Sequence, residues 1–255
     1  MTVVFGLGSG RCGTKSLASL INTQPGAVCF HEVNPSCMSW EGTEHSVLAL
    51  LQNFRAALEG RERAVCIDYT GPHRDGPLEK YITSQHLALV GDVGFYYLPY
   101  VEYVLSHDAD ARFPCLQRER TETIDSFITK LTEPRVQWKR KALIHWIDRQ
   151  LTGNRVREYR NHWAPRDDTR WKRDPKWDKC FPVLEHTETL REAVDTWYEM
   201  YYVEVNRLRE RYPKNVEVFD MSELNTEEGQ QRILGFCGIE KSEMVFAQIR
   251  ENQTV

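Results

Sequence analysis

The chain contains no run approaching the ~18 apolar residues that a membrane-spanning helix needs, which argues against an integral membrane protein. Its seven cysteines (Cys12, Cys29, Cys37, Cys66, Cys115, Cys180 and Cys237) are odd in number and widely scattered, with no Cys-x-x-Cys pair and no histidine at zinc-site spacing. That pattern argues against a disulfide framework and a structural zinc site and fits reduced thiols. A surplus of one charge is missing too, since 33 Lys and Arg stand against 37 Asp and Glu. Nucleic acid and anionic membranes are therefore not expected as partners, and any anion site must be local. No basic segment precedes the apolar start of MTVVFGLGSG, so this stretch is expected to be a first strand rather than a signal peptide, and a soluble, cytoplasmic protein is expected. Internal repeats and low-complexity tracts are absent, and 255 residues suit one domain spanning the whole chain.

What is present alternates. Short apolar runs predict strands at Thr2–Leu7, Ala27–Phe30, Ala64–Tyr69, Leu87–Val93 and Ala111–Gln117. Three- and four-residue apolar spacing predicts helices at Thr14–Asn22, His45–Glu59, Tyr97–Ser106 and Thr121–Leu131. A helix over Thr189–Arg211 stopped by Pro213, a strand over Val216–Phe219 and a helix over Glu227–Phe236 complete the pattern. Strand and helix in alternation predict an α/β fold, a central parallel sheet with helices on both faces. One stretch breaks the rhythm: Arg135 to Lys176 holds 13 Lys or Arg against five acids, together with Trp138, Trp146, Trp163 and Trp171, and Trp177 follows it directly. A basic, Trp-rich insertion over about 135–182 is expected to form a lid or the acceptor side of a site, against the plainer reading of a solvated basic helix and a surface loop.

The strongest local signal is GLGSGRCGTKSLASL, where a strand feeds a glycine-rich turn that opens a helix. Glycines let the backbone curl so that several N–H groups face one anion, and the helix amino end adds its dipole. Gly10, Arg11, Cys12, Gly13, Thr14, Lys15 and Ser16 are the candidate anion-binding residues, with Cys12 serving through its backbone N–H as a small spacer. The frame is close to the triphosphate loop G-x-x-x-x-G-K-[ST], but Lys15 arrives one position late, after Thr14, and Arg11 sits inside the loop. A second signal, FPCLQRERTETIDSFITKL, runs from strand to helix with Arg118 at the strand end and Ser126 eight residues on.

Together these motifs resemble those of the sulfotransferases that use 3'-phosphoadenosine 5'-phosphosulfate: a 5'-phosphosulfate loop of the R-x-G-T type, then a strand–helix 3'-phosphate motif with Arg and Ser eight residues apart. The resemblance runs from Val3 to about Leu131 and implies that family's P-loop-like α/β fold and its donor, which leaves as 3'-phosphoadenosine 5'-phosphate. It also implies that Arg11 to Ser16 hold the 5'-phosphosulfate and that Arg118 and Ser126 grip the 3'-phosphate. Cytosolic small-molecule members carry a Trp after the loop threonines and a lysine where Arg11 stands; here Ser16 and Leu17 follow Lys15. The chain thus looks closer to the tyrosylprotein, glycan and bacterial carbohydrate types, in which a Glu at the end of the second strand is the base. Glu32, in AVCFHEVNP, fills that position, with His31 as the rival. The resemblance implies a small-molecule, glycan or lipid-headgroup acceptor.

Two other readings stand beside this one. A P-loop kinase or other triphosphate-using enzyme would use Asp68 or Asp92, each after an apolar run, to hold magnesium. A non-catalytic nucleotide-binding module would keep the cradle while Glu32 faced away from it. On the leading reading no metal is required, because the transferred sulfonate carries less charge than a terminal phosphate. Calorimetric titration with 3'-phosphoadenosine 5'-phosphate is therefore expected to give the same affinity in chelator and in excess magnesium; binding only with magnesium would promote the kinase.

Overall fold

The computed structural model describes residues 1–32, 44–61, 75–84, 86–132 and 189–248. Its elements run in the order β1 (Thr2–Gly6), α1 (Thr14–Asn22), β2 (Ala27–His31), α2 (Glu44–Leu58), α3 (Asp75–Thr83), β3 (Leu89–Val93), a 3-10 segment (Phe95–Tyr100), α4 (Val101–His107), β4 (Phe113–Gln117), α5 (Arg120–Thr132), α6 (Leu190–Arg211), β5 (Val216–Asp220), a 3-10 turn (Met221–Asn225) and α7 (Glu227–Phe236). The expected strand Ala64–Tyr69, Asp68 and the insertion at 135–182 lie outside the described residues.

Strands β2, β3 and β1 pair in that order, all parallel, with Val3 opposite Val90 and Val28 opposite the same residue. Strands β4 and β5 form a second parallel pair. The two sets join between β1 and β4, where Phe5 N–H donates to Arg112 O (2.9 Å), Leu7 N–H to Pro114 O (2.8 Å) and Leu116 N–H to Leu7 O (3.0 Å). The spatial order of the described strands is therefore β2-β3-β1-β4-β5.

Alternation along each strand sends side chains to two cores. Val3, Phe5, Phe30, Val90 and Phe113 pack against α2, α4 and α6, while Val4, Cys29, Leu89 and Leu116 pack against α1 and α7. Helices thus cover both faces, as the sequence pattern implied, and the inner strands are mostly apolar because neither side meets water, with Asp92 of β3 the buried charged exception.

This order has a consequence for function. The chain leaves β1 toward β2 on one side and leaves β4 toward β5 on the other, so a crevice opens between the carboxyl ends of β1 and β4. Open α/β sheets bind ligands at such a switch point.

Local chemistry explains the boundaries. Helix α6 starts with a capping box, in which Glu192 N–H donates to Thr189 Oγ1 and Thr189 N–H to Glu192 Oε2, both at 3.2 Å. The expected helix Tyr97–Ser106 divides instead into a 3-10 segment containing Pro99 and then α4. Pro99 has no N–H to donate and disfavours helical geometry in the residue before it, which apolar spacing alone does not register.

The carboxyl-terminal segment is held by two buried glutamines that act as strand partners. Gln24 Oε1 accepts from Val245 N–H (2.8 Å) and Gln24 Nε2 donates to Val245 O (2.7 Å). Gln230 treats Ala247 the same way, at 3.1 and 2.7 Å. Gln24→Ala would remove both bonds to the partly exposed Val245 main chain, at a cost of about 0.5–1.5 kcal/mol for each bond. Thermal denaturation is expected to show a drop of roughly 2–4 °C for each kcal/mol lost. An unchanged midpoint would mean that this clamp contributes nothing to stability.

Candidate active site

The loop from Leu7 to Gly13 leaves β1 at the switch point. Gly10 (φ 95°) and Gly13 (φ 89°) take left-handed conformations that a Cβ would strain, and Arg11 (φ 57°) takes one despite its side chain. A Cβ on Gly10 would also lie 2.8 Å from the Phe127 ring of α5. Gly13 is the cap residue of α1 and has no side chain to cap it, so nothing on that residue competes for the first-turn donors. The first intrahelical bond is Leu17 N–H to Gly13 O at 3.0 Å.

Two motifs more than a hundred residues apart meet here. Arg11 Nε–H donates to Ser126 Oγ at 3.0 Å, and Arg118 Nη1 donates to the Arg11 carbonyl at 3.4 Å. Arg118 also pairs with Glu122 one helical turn on, at 2.9 Å. Arg11 and Arg118 are both only partly buried, so each keeps contact with solvent beside the loop. Lys15 is likewise half-buried, and the Ser16 hydroxyl lies in the first turn of α1.

The end of β2 closes the other side. His31 is its last residue, and its Nε2 lies 3.0 Å from Thr14 Oγ1. Glu32 follows with φ 54°, a strained conformation for a residue with a Cβ, and its N–H donates to Val93 O at 3.0 Å. Strict strand alternation therefore ends at His31. His31 carries the contact to the loop threonine, while the Glu32 charge acts on the Tyr96 phenol.

Asp92 of β3 is fully buried and accepts from the Tyr97 hydroxyl (2.5 Å) and the Tyr96 hydroxyl (3.2 Å) on one carboxylate oxygen. Burial first, and then the Asp92 charge, push both phenols well above the ordinary tyrosine value.

Four aromatic residues of α6 were not singled out from the sequence. Tyr201 Oη accepts from Gly8 N–H (3.0 Å) and Trp197 Nε1–H donates to Ser9 O (3.0 Å). Tyr202 donates to Leu116 O (2.8 Å) and Tyr198 to Arg118 O (2.7 Å). The available signal was the spacing in TWYEMYY, which puts these rings on one helical face; apolar periodicity registers their burial but not the destination of their polar tips.

Cys12 sits inside the loop with its thiol turned inward, where a Cβ on Gly8 would meet its sulfur at 2.5 Å. Burial pushes this thiol up from its ordinary value, and Cys29 and Cys115 well up, while Cys237 is pushed up to about 12. A raised value means less thiolate at any pH below it, so these four cysteines are expected to resist alkylation by N-ethylmaleimide at pH 8 in the native protein and to react once unfolded. Peptide mass mapping decides this, and native labelling of Cys12 at a free-thiol rate would contradict the inward placement.

No family model and no curated protein matches this sequence. Among solved structures the chain is similar to a sulfotransferase from Alicyclobacillus acidocaldarius, with a TM-score of 0.49 and 15% identity over 98% of this chain and 85% of that one.

Proposed function

We propose that this chain is a sulfotransferase that moves a sulfuryl group from 3'-phosphoadenosine 5'-phosphosulfate to a hydroxyl or amine acceptor. The observation that carries the reading is the meeting of the glycine loop with the Arg118–Ser126 motif at the switch point, through Arg11. Three cationic side chains (Arg11, Lys15 and Arg118), several hydroxyls and a glycine-curled backbone form a donor set for anions, and the presence of two adjoining motifs suits a nucleotide that carries phosphates at two positions of its ribose.

When bound, the donor supplies a phosphate–sulfate anhydride whose bridging oxygen leaves with the phosphate. Arg11 and Lys15 bring positive charge to the loop, where charge develops during in-line transfer. Thr14 and Ser16 contribute hydroxyl donors, and the His31 contact orients the Thr14 hydroxyl. Arg118 and Ser126 hold the 3'-phosphate, exchanging their present internal partners for phosphate oxygens. A Glu32 carboxylate oxygen takes the proton from the acceptor hydroxyl as the new bond forms. The strained backbone at Glu32 supports this role, since such strain persists where a side chain must be held at a site.

The kinase alternative loses support at Asp92. Its carboxylate is enclosed in the core and engaged by two phenols, rather than turned to the loop as a magnesium-holding acid would be.

The acceptor is a small molecule, a glycan or a lipid headgroup. Among the described residues, no helix is long and apolar enough to cross a membrane.

Calorimetry with 3'-phosphoadenosine 5'-phosphate, and with magnesium ATP as competitor, tests the reading. Arg118→Ala is expected to weaken the first ligand by roughly ten- to hundredfold, the scale of a lost charged hydrogen bond. Preference for magnesium ATP would refute the proposal. Once an acceptor is identified, Glu32→Gln is expected to lower kcat by roughly 10²–10⁴-fold with donor affinity nearly unchanged. Loss of the same size in His31→Ala, with Glu32→Gln active, would reassign the base.

A further inference from the structure

Helix α6 presents Trp197, Tyr198, Tyr201 and Tyr202 on one face, because positions one, four and five apart share a side at 3.6 residues per turn. All four are buried. A buried phenol or indole needs a hydrogen-bond partner, and any core carbonyl would serve. Here every tip meets groups in or beside the two candidate anion motifs.

Two tips serve the glycine loop. The Tyr201 hydroxyl accepts from Gly8 N–H and donates to Phe95 O (3.2 Å), so it ties the loop to the segment after β3. Trp197 takes the Ser9 carbonyl. Tyr198 serves the end of β4 alone, taking Arg118 O while accepting from Gln117 Nε2 at 3.2 Å, whereas Tyr202 lies between the two motifs, donating to Leu116 O and accepting from the Ser9 hydroxyl at 3.4 Å. The helix is also tied to α5, which carries Ser126, by Arg120–Asp195 (2.5 Å), Arg120–Glu199 (2.9 Å) and Arg191–Asp125 (2.6 Å).

We propose that α6 is a spacer that sets the distance between the loop anion site and the Arg118 anion site. Trp197 and Tyr201 are positioning residues for the first, and Tyr198 for the second. The ligand class so selected is a nucleotide phosphorylated at both the 5' and 3' positions, in preference to a 5'-monophosphate. The inference rests on the donor reading above and adds the element that enforces it: a single helix that holds one anion motif through Trp197 and Tyr201 and the other through Tyr198, with Tyr202 bonded to both.

Tyr201→Phe and Tyr198→Phe keep their rings and remove one hydroxyl each, so they test the division directly. Calorimetry would compare 3'-phosphoadenosine 5'-phosphate with adenosine 5'-phosphate for the wild type and both variants. Tyr201→Phe is expected to weaken both ligands by a similar factor, roughly tenfold, since it disturbs the loop they share. Tyr198→Phe is expected to weaken only the bisphosphate, so that the ratio of the two affinities shrinks. Amide exchange in the ligand-free protein supplies a second readout: Tyr201→Phe should speed exchange at residues 8–11 and Tyr198→Phe at 117–119, whereas general destabilisation would speed both. Equal effects of the two variants on both ligands and both segments, or no effect of either, would overturn the proposal. A wild type that does not prefer the bisphosphate would sink the donor reading itself, and the exchange pattern would still decide whether α6 positions the two segments separately.

Discussion

A backbone that leaves a sheet in a left-handed curl takes its polar groups out of the ladder, and those groups must be met elsewhere. Residues 8–13 do this at the end of β1, the strand that joins the two halves of the sheet. Helix α6 meets the front of the curl, Gly8 N–H through Tyr201 and Ser9 O through Trp197. The back of the curl opens α1, whose first-turn donors have no intrahelical acceptors. The polarity of this short stretch is thus divided between an aromatic clamp on one side and the crevice on the other, and the arrangement of β2, β4, α5 and α6 around it follows.

Charge is distributed in keeping with that division. Arg11, Lys15 and Arg118 stay partly exposed around the crevice, in a protein whose overall charge is slightly negative. Acids near the site are occupied or held off: Asp92 by two phenols in the core, and Glu122 by Arg118. Local positive potential without a global surplus suits a compact polyanion better than an extended one such as nucleic acid. The buried thiols add no charge, because desolvation keeps them protonated.

Glu32 and His31 show how little separates two candidate roles. A strand would send them to opposite faces, yet the strand ends between them and the chain turns at positive φ. His31 contacts Thr14 on the α1 side, and Glu32 acts on Tyr96 on the other. The proposed base is therefore set by one backbone turn.

The sequence by itself determined the α/β class, the limits of α1 and α7, and the residue types of both candidate anion motifs. Those features are local: a strand buried on both faces is mostly apolar, glycines at 8, 10 and 13 announce a curl, and Pro213 announces a helix stop. The break at Pro99 and helix α3 escaped, because apolar spacing continues across a change of helical type and is weak in a short amphipathic turn. Only the tertiary structure decided the strand order β2-β3-β1-β4-β5, the contact of Arg11 with Ser126, and the bonds from α6 to the loop. The physical reason is that hydrophobic pattern specifies which side of an element is buried, whereas the partner of a phenol or guanidinium is fixed by distance in space, and pairs separated by 115 and 193 residues leave no trace in local periodicity.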